Sequence, residues 1–175
     1  AHKTPVSLFE EAVTAANKAV FEESASHVEY EGMGTTVVAC TLEENTLYIA
    51  NIGDSRLYLI RDGIEQITDD HSLVEEMVKQ GNITESEARI HPQKNIITRA
   101  LGINEEVQAD FFEIDVEQGD VIMLCSDGLS NMIEDEDMEY IVKNRDTLQT
   151  AAESLVARAN ENGGNDNITV VLAEV

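Results

Sequence analysis

Apolar residues recur at helical intervals over residues 7–24, where Leu8, Phe9, Ala12, Val13, Ala16, Ala19 and Val20 share one face of a 3.6-residue repeat. Ser7 and Glu10 stand at capping-box spacing at its start. The period then changes. Gly32 and Gly34 lead into a β-branched run, "GMGTTVVACTL", which predicts a strand. "TLYIANI" (46–52) and "SRLYLIRD" (55–62) predict two more, with Gly53-Asp54 as the tight connection between them. Asp62-Gly63 is a hairpin-turn dipeptide before a short strand at 64–67. The first half therefore reads as a run of antiparallel hairpins.

The middle of the chain changes character. Residues 71–81 predict a short helix closed by Gly81, and residues 84–90 another, with Thr84 and Glu87 at capping-box spacing. "NIITRALG" follows without clear periodicity. This apolar-poor stretch, about 71–98, reads as a flap inserted between strands. Strand patterns resume at 107–116 and 120–126, joined by a turn at Gln118-Gly119. Helices are predicted over 134–143 and about 147–162, the second with Leu148, Ala151, Ala152, Leu155, Val156 and Ala159 facing inward. "ITVVLAEV" is a last strand. Hairpins followed by paired helices predict an α+β fold of antiparallel sheets covered by helices.

Composition narrows the function classes. A chain of 175 residues fits one domain, residues 1–175, and 42% hydrophobic content supports a sizeable core. No apolar run is long enough to span a bilayer, and no basic-then-apolar segment opens the residues given. Cys40 and Cys125 both sit in apolar strand-like runs and read as buried thiols in a reduced compartment, or as one disulfide. Cytoplasm is the default localisation. The net charge of −24, from 35 acidic and 11 basic residues, argues against nucleic acid or an anionic membrane as partner. It also repels any anionic substrate unless bound cations reverse the local field. Glu134 to Asp137 sit where a helix should start, a favourable place for negative charge.

Three aspartates stand at strand ends beside small residues: Asp54 in "IGDSR", Asp127 in "CSDGL" and Asp166 in "GGNDNITVV". Each alone is an ordinary turn residue. Together they suggest carboxylates converging on one cleft, an arrangement that needs a hard divalent cation to relieve repulsion. No Cys/His spacing suits zinc, and His2, His27, His71 and His91 read as surface or flap residues.

These stretches resemble the metal-dependent Ser/Thr protein phosphatases of the PP2C type (the PPM family), in their compact bacterial form. The matching segments are "GMGTT" (32–36), "ANIGDSRLYLIRDG" (50–63), "ITDDHSLVEEMVKQG" (67–81), "ITRALG" (97–102), "GDVIMLCSDGLSNMI" (119–133) and "GGNDNITVVL" (163–172), in family order across essentially the whole chain. The resemblance implies a sandwich of two antiparallel sheets flanked by helices (α-β-β-α). It implies Asp127 and Asp166 as ligands of two central Mn²⁺ or Mg²⁺ ions, and Asp54 as a ligand of a third, weaker one. Asn131, one helical turn past Asp127, stands where some relatives have a further acidic ligand, and Asn is the poorer ligand. The flap at 71–98 is expected to contribute to substrate choice.

The resemblance also has a gap. The family's first strands carry an Arg for the substrate phosphate, an acidic ligand and an Asp-Gly-x-Gly-Gly-His loop whose Asp bridges the two metals. Nothing in residues 1–31 matches them. An N-terminally truncated fragment is therefore expected, lacking roughly one quarter of a minimal catalytic domain on ordinary domain sizes. Such a fragment is not expected to form a normal binuclear centre alone. For the intact protein the resemblance implies hydrolysis of phosphoserine and phosphothreonine in proteins by a metal-activated water, opposing a Ser/Thr kinase and acting on its substrates. No cysteine nucleophile is needed, and Cys125 reads as core because nothing nearby would activate its thiolate. The alternative is a non-catalytic PP2C-like binding or regulatory module whose turn aspartates are structural. A calcium-binding reading fails, because "EDEDMEY" lacks the alternating ligands and central Gly of an EF-hand loop.

Overall fold

The computed structural model describes residues 3–175. In chain order its elements are α1 (Pro5–Ser26), β1 (Val37–Glu43), β2 (Thr46–Ile52), β3 (Arg56–Ile60), β4 (Ile64–Gln66), α2 (Leu73–Lys79), α3 (Glu85–Ile90), β5 (Asp110–Asp115), β6 (Val121–Cys125), α4 (Asp127–Ser130), α5 (Asp135–Lys143), α6 (Leu148–Glu161) and β7 (Val170–Glu174). They form two antiparallel sheets with helices, the predicted α+β class. The chain divides into two compact units. One holds residues up to Asp54 together with Asp70–Asp115, and the other holds Ser55–Asp69 with Val116–Val175.

In the first unit the sheet order is β1-β2-β5. β1 and β2 pair from Val37↔Ile52 to Glu43↔Thr46, and β2 pairs with β5 from Thr46↔Asp115 to Asn51↔Asp110. α1 begins one turn earlier than the capping-box spacing predicts. Thr4 is the N-cap, its hydroxyl accepting from the Ser7 amide, and Pro5 takes the first helical position, where its missing N–H costs nothing. The buried residues of α1 are Val13 and Asn17, whereas Leu8, placed on the predicted apolar face, is half exposed. Val13 packs with Ile52 and Leu101. Asn17 is 2% exposed. Its Nδ2 donates to the carbonyls of Asn104 and Glu105, and its Oδ1 accepts from the Gly102 amide at 2.7 Å. Thr35 and Leu101 exchange backbone bonds of 3.0 and 2.8 Å, joining the "GMGTT" and "ITRALG" stretches.

The segment predicted as an insertion is closed at its base. Ser72 bridges Ile97, Leu73 N–H donates to Ile96 O, and Thr98 N–H donates to His71 O. Between these ends lie α2, capped by Ser72, and α3, whose Thr84–Glu87 capping box forms as predicted.

In the second unit the order is β4-β3-β6-β7. The predicted hairpin of β2 with β3 does not form. β2 pairs with β1 and β5, β3 with β4 and β6, and Gly53 to Ser55 carry the chain from one sheet to the other. Gly-Asp signals a reversal of direction but not which strands pair across it. Tyr58, Ile60, Met123 and Cys125 on the sheet pack with Leu129, Ile133, Met138, Val142, Leu155 and Ala159 from the helical segments that follow β6. The buried residues of α6, Ala151, Leu155 and Ala159, recur every four positions, as the periodicity predicts.

Candidate metal centre

Asp127 stands where β6 ends, as the first residue of α4, with Ser126 as N-cap. β6 is paired on one side with β3 and on the other with β7, from Val121↔Glu174 to Cys125↔Val170. The β6–β7 ladder is continued past its end by Ser126. Its amide donates to Thr169 O at 3.1 Å, its hydroxyl donates to Asn167 O at 3.1 Å, and the Thr169 amide donates to that hydroxyl at 3.0 Å. One serine thus fixes the exit of β6 to the loop that carries Asp166.

Gly128 completes the junction. A Cβ there would be driven into the Asn167 carbonyl, with the Asp166 carbonyl carbon 3.5 Å away. The Gly128 backbone is helical, and what requires glycine is the close approach of the 166–167 backbone. The main chain at Asp127 and at Asp166 is therefore brought together within the second unit. Asp166 Oδ1 accepts from the Asn167 amide at 2.7 Å. Asn131 lies one turn beyond Asp127, its amide donating to Asp127 O at 2.8 Å and its side-chain nitrogen lying 3.4 Å from Asp127 Oδ2. In this geometry Asn131 donates toward the carboxylate.

Asp54 follows the exit of β2 in the first unit. The preceding Gly53 has φ +102°, and a Cβ on it would strike the Thr36 side chain. Gly53 is gripped by His71: its amide donates to His71 Nδ1 at 3.0 Å, and its carbonyl accepts from the His71 amide at 2.9 Å. His71, read as a surface or flap residue, stands at the base of the 71–98 segment and is not on the surface, since it is 5% exposed. Its Nε2 lies 2.9 Å from Asp110 Oδ2, and Asp110 Oδ1 accepts from Arg99 at 2.8 Å. Burial works to raise the Asp110 carboxyl, but the hydrogen bonds from His71 and Arg99 outweigh it and hold the group below the usual carboxylate range. Sequence spacing does not reveal this chain of contacts, because its members are 18 and 39 residues apart. The available signal was an acidic residue, Asp110, opening the strand ahead of Phe111 and Phe112. His27 and His91 are on the surface or partly exposed, as expected, and His2 lies outside the described residues.

Among the described residues, no three His, Cys, Asp or Glu side chains form a metal-ligating group. The donors to hand are Asp127 and Asp166 in one unit and Asp54 in the other. A hydrated Mg²⁺ or Mn²⁺ suits the pair Asp127 and Asp166 within the second unit, since these ions take one or two carboxylates and keep several waters. Cys40 and Cys125 are both free thiols. Cys125 is buried within the core of its unit, and burial pushes the Cys40 thiol up, away from reactivity.

The family model described as "Protein phosphatase 2C" matches residues 3–173. The serine/threonine phosphatase stp of Listeria monocytogenes serotype 4b is 44% identical over 159 residues, which are 90% of this chain and 63% of that protein. The chain therefore spans somewhat less than two thirds of the length of this relative. The crystal structure of the serine/threonine phosphatase Stp1 from Staphylococcus aureus superposes with a TM-score of 0.95 at 35% identity, over 98% of this chain and 68% of that one. The catalytic domain of the serine/threonine protein phosphatase PstP, solved in complex with two manganese ions, has a TM-score of 0.89 at 35% identity, over 99% of this chain and 73% of that one.

Proposed function

The chain belongs to the protein phosphatase 2C family, and from that premise we propose that the whole protein is a metal-dependent phosphatase that removes phosphate from serine and threonine residues of proteins. The observation that carries this reading is the junction of β6 with the loop before β7, where Ser126 and Gly128 hold the main chain of Asp127 beside that of Asp166. In a chain of net charge −24, a cation held by Asp127 and Asp166 would relieve the repulsion between two acidic residues at one junction.

Asp127 and Asp166 are read as holding the central Mn²⁺ or Mg²⁺ ions, and Asp54 a third, weaker one. When bound, such ions supply Lewis acidity, lowering the pKa of a coordinated water and neutralising charge on the phosphoryl group. The chain's own part is to orient the carboxylates. Ser126 fixes the loop of Asp166, and Asn131 donates toward the Asp127 carboxylate. Both units are read as parts of one phosphatase domain, with the segment 71–98 as a flap that contributes to substrate choice. The substrates are read as phosphorylated proteins that a Ser/Thr kinase modifies. No helix among the described residues is long and apolar enough to cross a membrane, and a cytoplasmic location is proposed.

The test has two arms. Hydrolysis of a phosphothreonine peptide by the whole protein is expected to require added Mn²⁺ or Mg²⁺ and to cease on chelation, and turnover that persists in excess EDTA would overturn the reading. In calorimetry of the whole protein, Asp127→Ala and Asp166→Ala are each expected to lower Mn²⁺ binding, and unchanged binding would remove those residues from the metal site.

A further inference from the structure

His71 has no part in the reaction read above, yet both of its ring nitrogens are engaged in a buried setting. The Gly53 amide can only donate, so His71 Nδ1 must be the acceptor and carry no proton. Nε2 then bears the N–H that Asp110 Oδ2 accepts. The other oxygen of Asp110 is taken by Arg99 Nη1, which fixes the way the carboxylate faces the ring. The His71 main chain adds a third tie by donating to Gly53 O, the carbonyl of the Gly53–Asp54 peptide. One residue therefore holds the peptide on each side of Gly53, a residue whose φ of +102° leaves it few restraints of its own.

We propose that His71 is a positioning residue for Asp54: kept in the Nε2–H tautomer by Asp110 and Arg99, it fixes the Gly53–Asp54 peptide and thereby sets how tightly Asp54 holds a cation. This rests on the reading of Asp54 as a metal ligand. The physical logic is that of outer-shell partners at metal sites, whose loss commonly weakens metal binding about 10–100-fold.

The decisive variant is Asp110→Asn. Arg99 would claim the amide oxygen, turning the NH₂ group toward His71 Nε2. Nε2 would then have to accept, the proton would move to Nδ1, and the bond from Gly53 would be lost. A histidine that merely fills space would not respond in this way.

The experiment uses the ¹⁵N-labelled whole protein and Mn²⁺ as the probe. Long-range ¹H–¹⁵N spectra are expected to show Nε2–H in the unmodified protein and Nδ1–H in Asp110→Asn. Hydrogen exchange at the Gly53 amide is expected to accelerate at least about tenfold, and calorimetry to show the weakest Mn²⁺ site weakened about 10–100-fold. His71→Asn retains an oxygen that can accept from Gly53 and is expected to keep more of that protection than His71→Ala. Should Asp110→Asn fail to fold, Nδ1–H in the unmodified protein, or equal exchange in the two His71 variants, would overturn the proposal. Asp54→Asn, measured in parallel, separates the two readings. If it weakens Mn²⁺ binding and Asp110→Asn does not, the positioning role of His71 is refuted. If neither does, the assignment of Asp54 falls, and the proposal with it.

Discussion

A methyl group on Gly128 would be driven against the Asn167 carbonyl. Gly128→Ala is therefore expected to destabilise the protein by about 1–3 kcal/mol, the usual cost of overpacking, and to weaken Mn²⁺ binding with it. Urea denaturation reads the first and calorimetry the second, and an unchanged midpoint would mean that the junction relaxes without cost. Asn17 poses the opposite problem. Asn17→Leu matches the apolar face of α1 but strands the Gly102 amide and two carbonyls. A loss of about 1–3 kcal/mol is expected, and a gain in stability would show that those groups find other partners. The two positions differ in how far the sequence exposes them. A glycine after a strand-end aspartate announces a constraint, although the chain alone does not say that the constraint is a neighbouring carbonyl. Asn17 announces nothing, because a polar residue in an amphipathic repeat reads as the solvent side. Its burial is decided by the loop at 102–105, more than eighty residues away.

Arg61 follows β3 and Asp120 precedes β6, so their ion pair ties together the ends of two adjacent strands. The guanidinium makes two bonds, of 2.8 and 2.7 Å, to a carboxylate that is almost wholly buried, and Asp120 Oδ2 also accepts from the Glu117 amide. The bonds from Arg61 hold the Asp120 carboxyl below its usual range despite its burial. A carboxyl whose folded pKa is depressed contributes stability that is present above its unfolded pKa and is lost as pH falls through the folded one. Asp120→Asn is accordingly expected to lower the unfolding midpoint at pH 7, and the gap to the unmodified protein is expected to close as the pH falls below about 4. A gap that is constant from pH 7 to pH 2 would assign the effect to packing. At this scale the elements were largely legible, since periodicities of 2 and 3.6 follow directly from which face is buried. Pairing was less so. The β2–β3 connection carries a hairpin's residues but joins two sheets, and only the positions of β1, β5, β4 and β6 decide that.

For the whole molecule, a net charge of −24 means that the folded state gathers like charges. Raising NaCl from about 10 to 150 mM shortens the screening length to about 8 Å, so thermal stability is expected to rise, and to rise further on adding Mn²⁺ than on adding equal ionic strength as NaCl. Equal shifts from the two salts would mean that the divalent ion acts by screening alone. The family and the α+β class were legible because motif and strand pattern fall in one order along the chain. The division into units was not, because it depends on where the chain returns. The course of the chain between the units has a further consequence, for the time order of folding. It leaves the first unit after Asp54, re-enters at Asp70 and leaves again after Asp115. On a ribosome, Arg56–Ile60 would emerge with only the short strand β4 beside it, some sixty residues before Val121–Cys125 arrives to pair with it. Pairings this distant in sequence form slowly, and the unpaired strand is exposed meanwhile. Slowed synthesis or added chaperone is therefore expected to raise the yield of native protein.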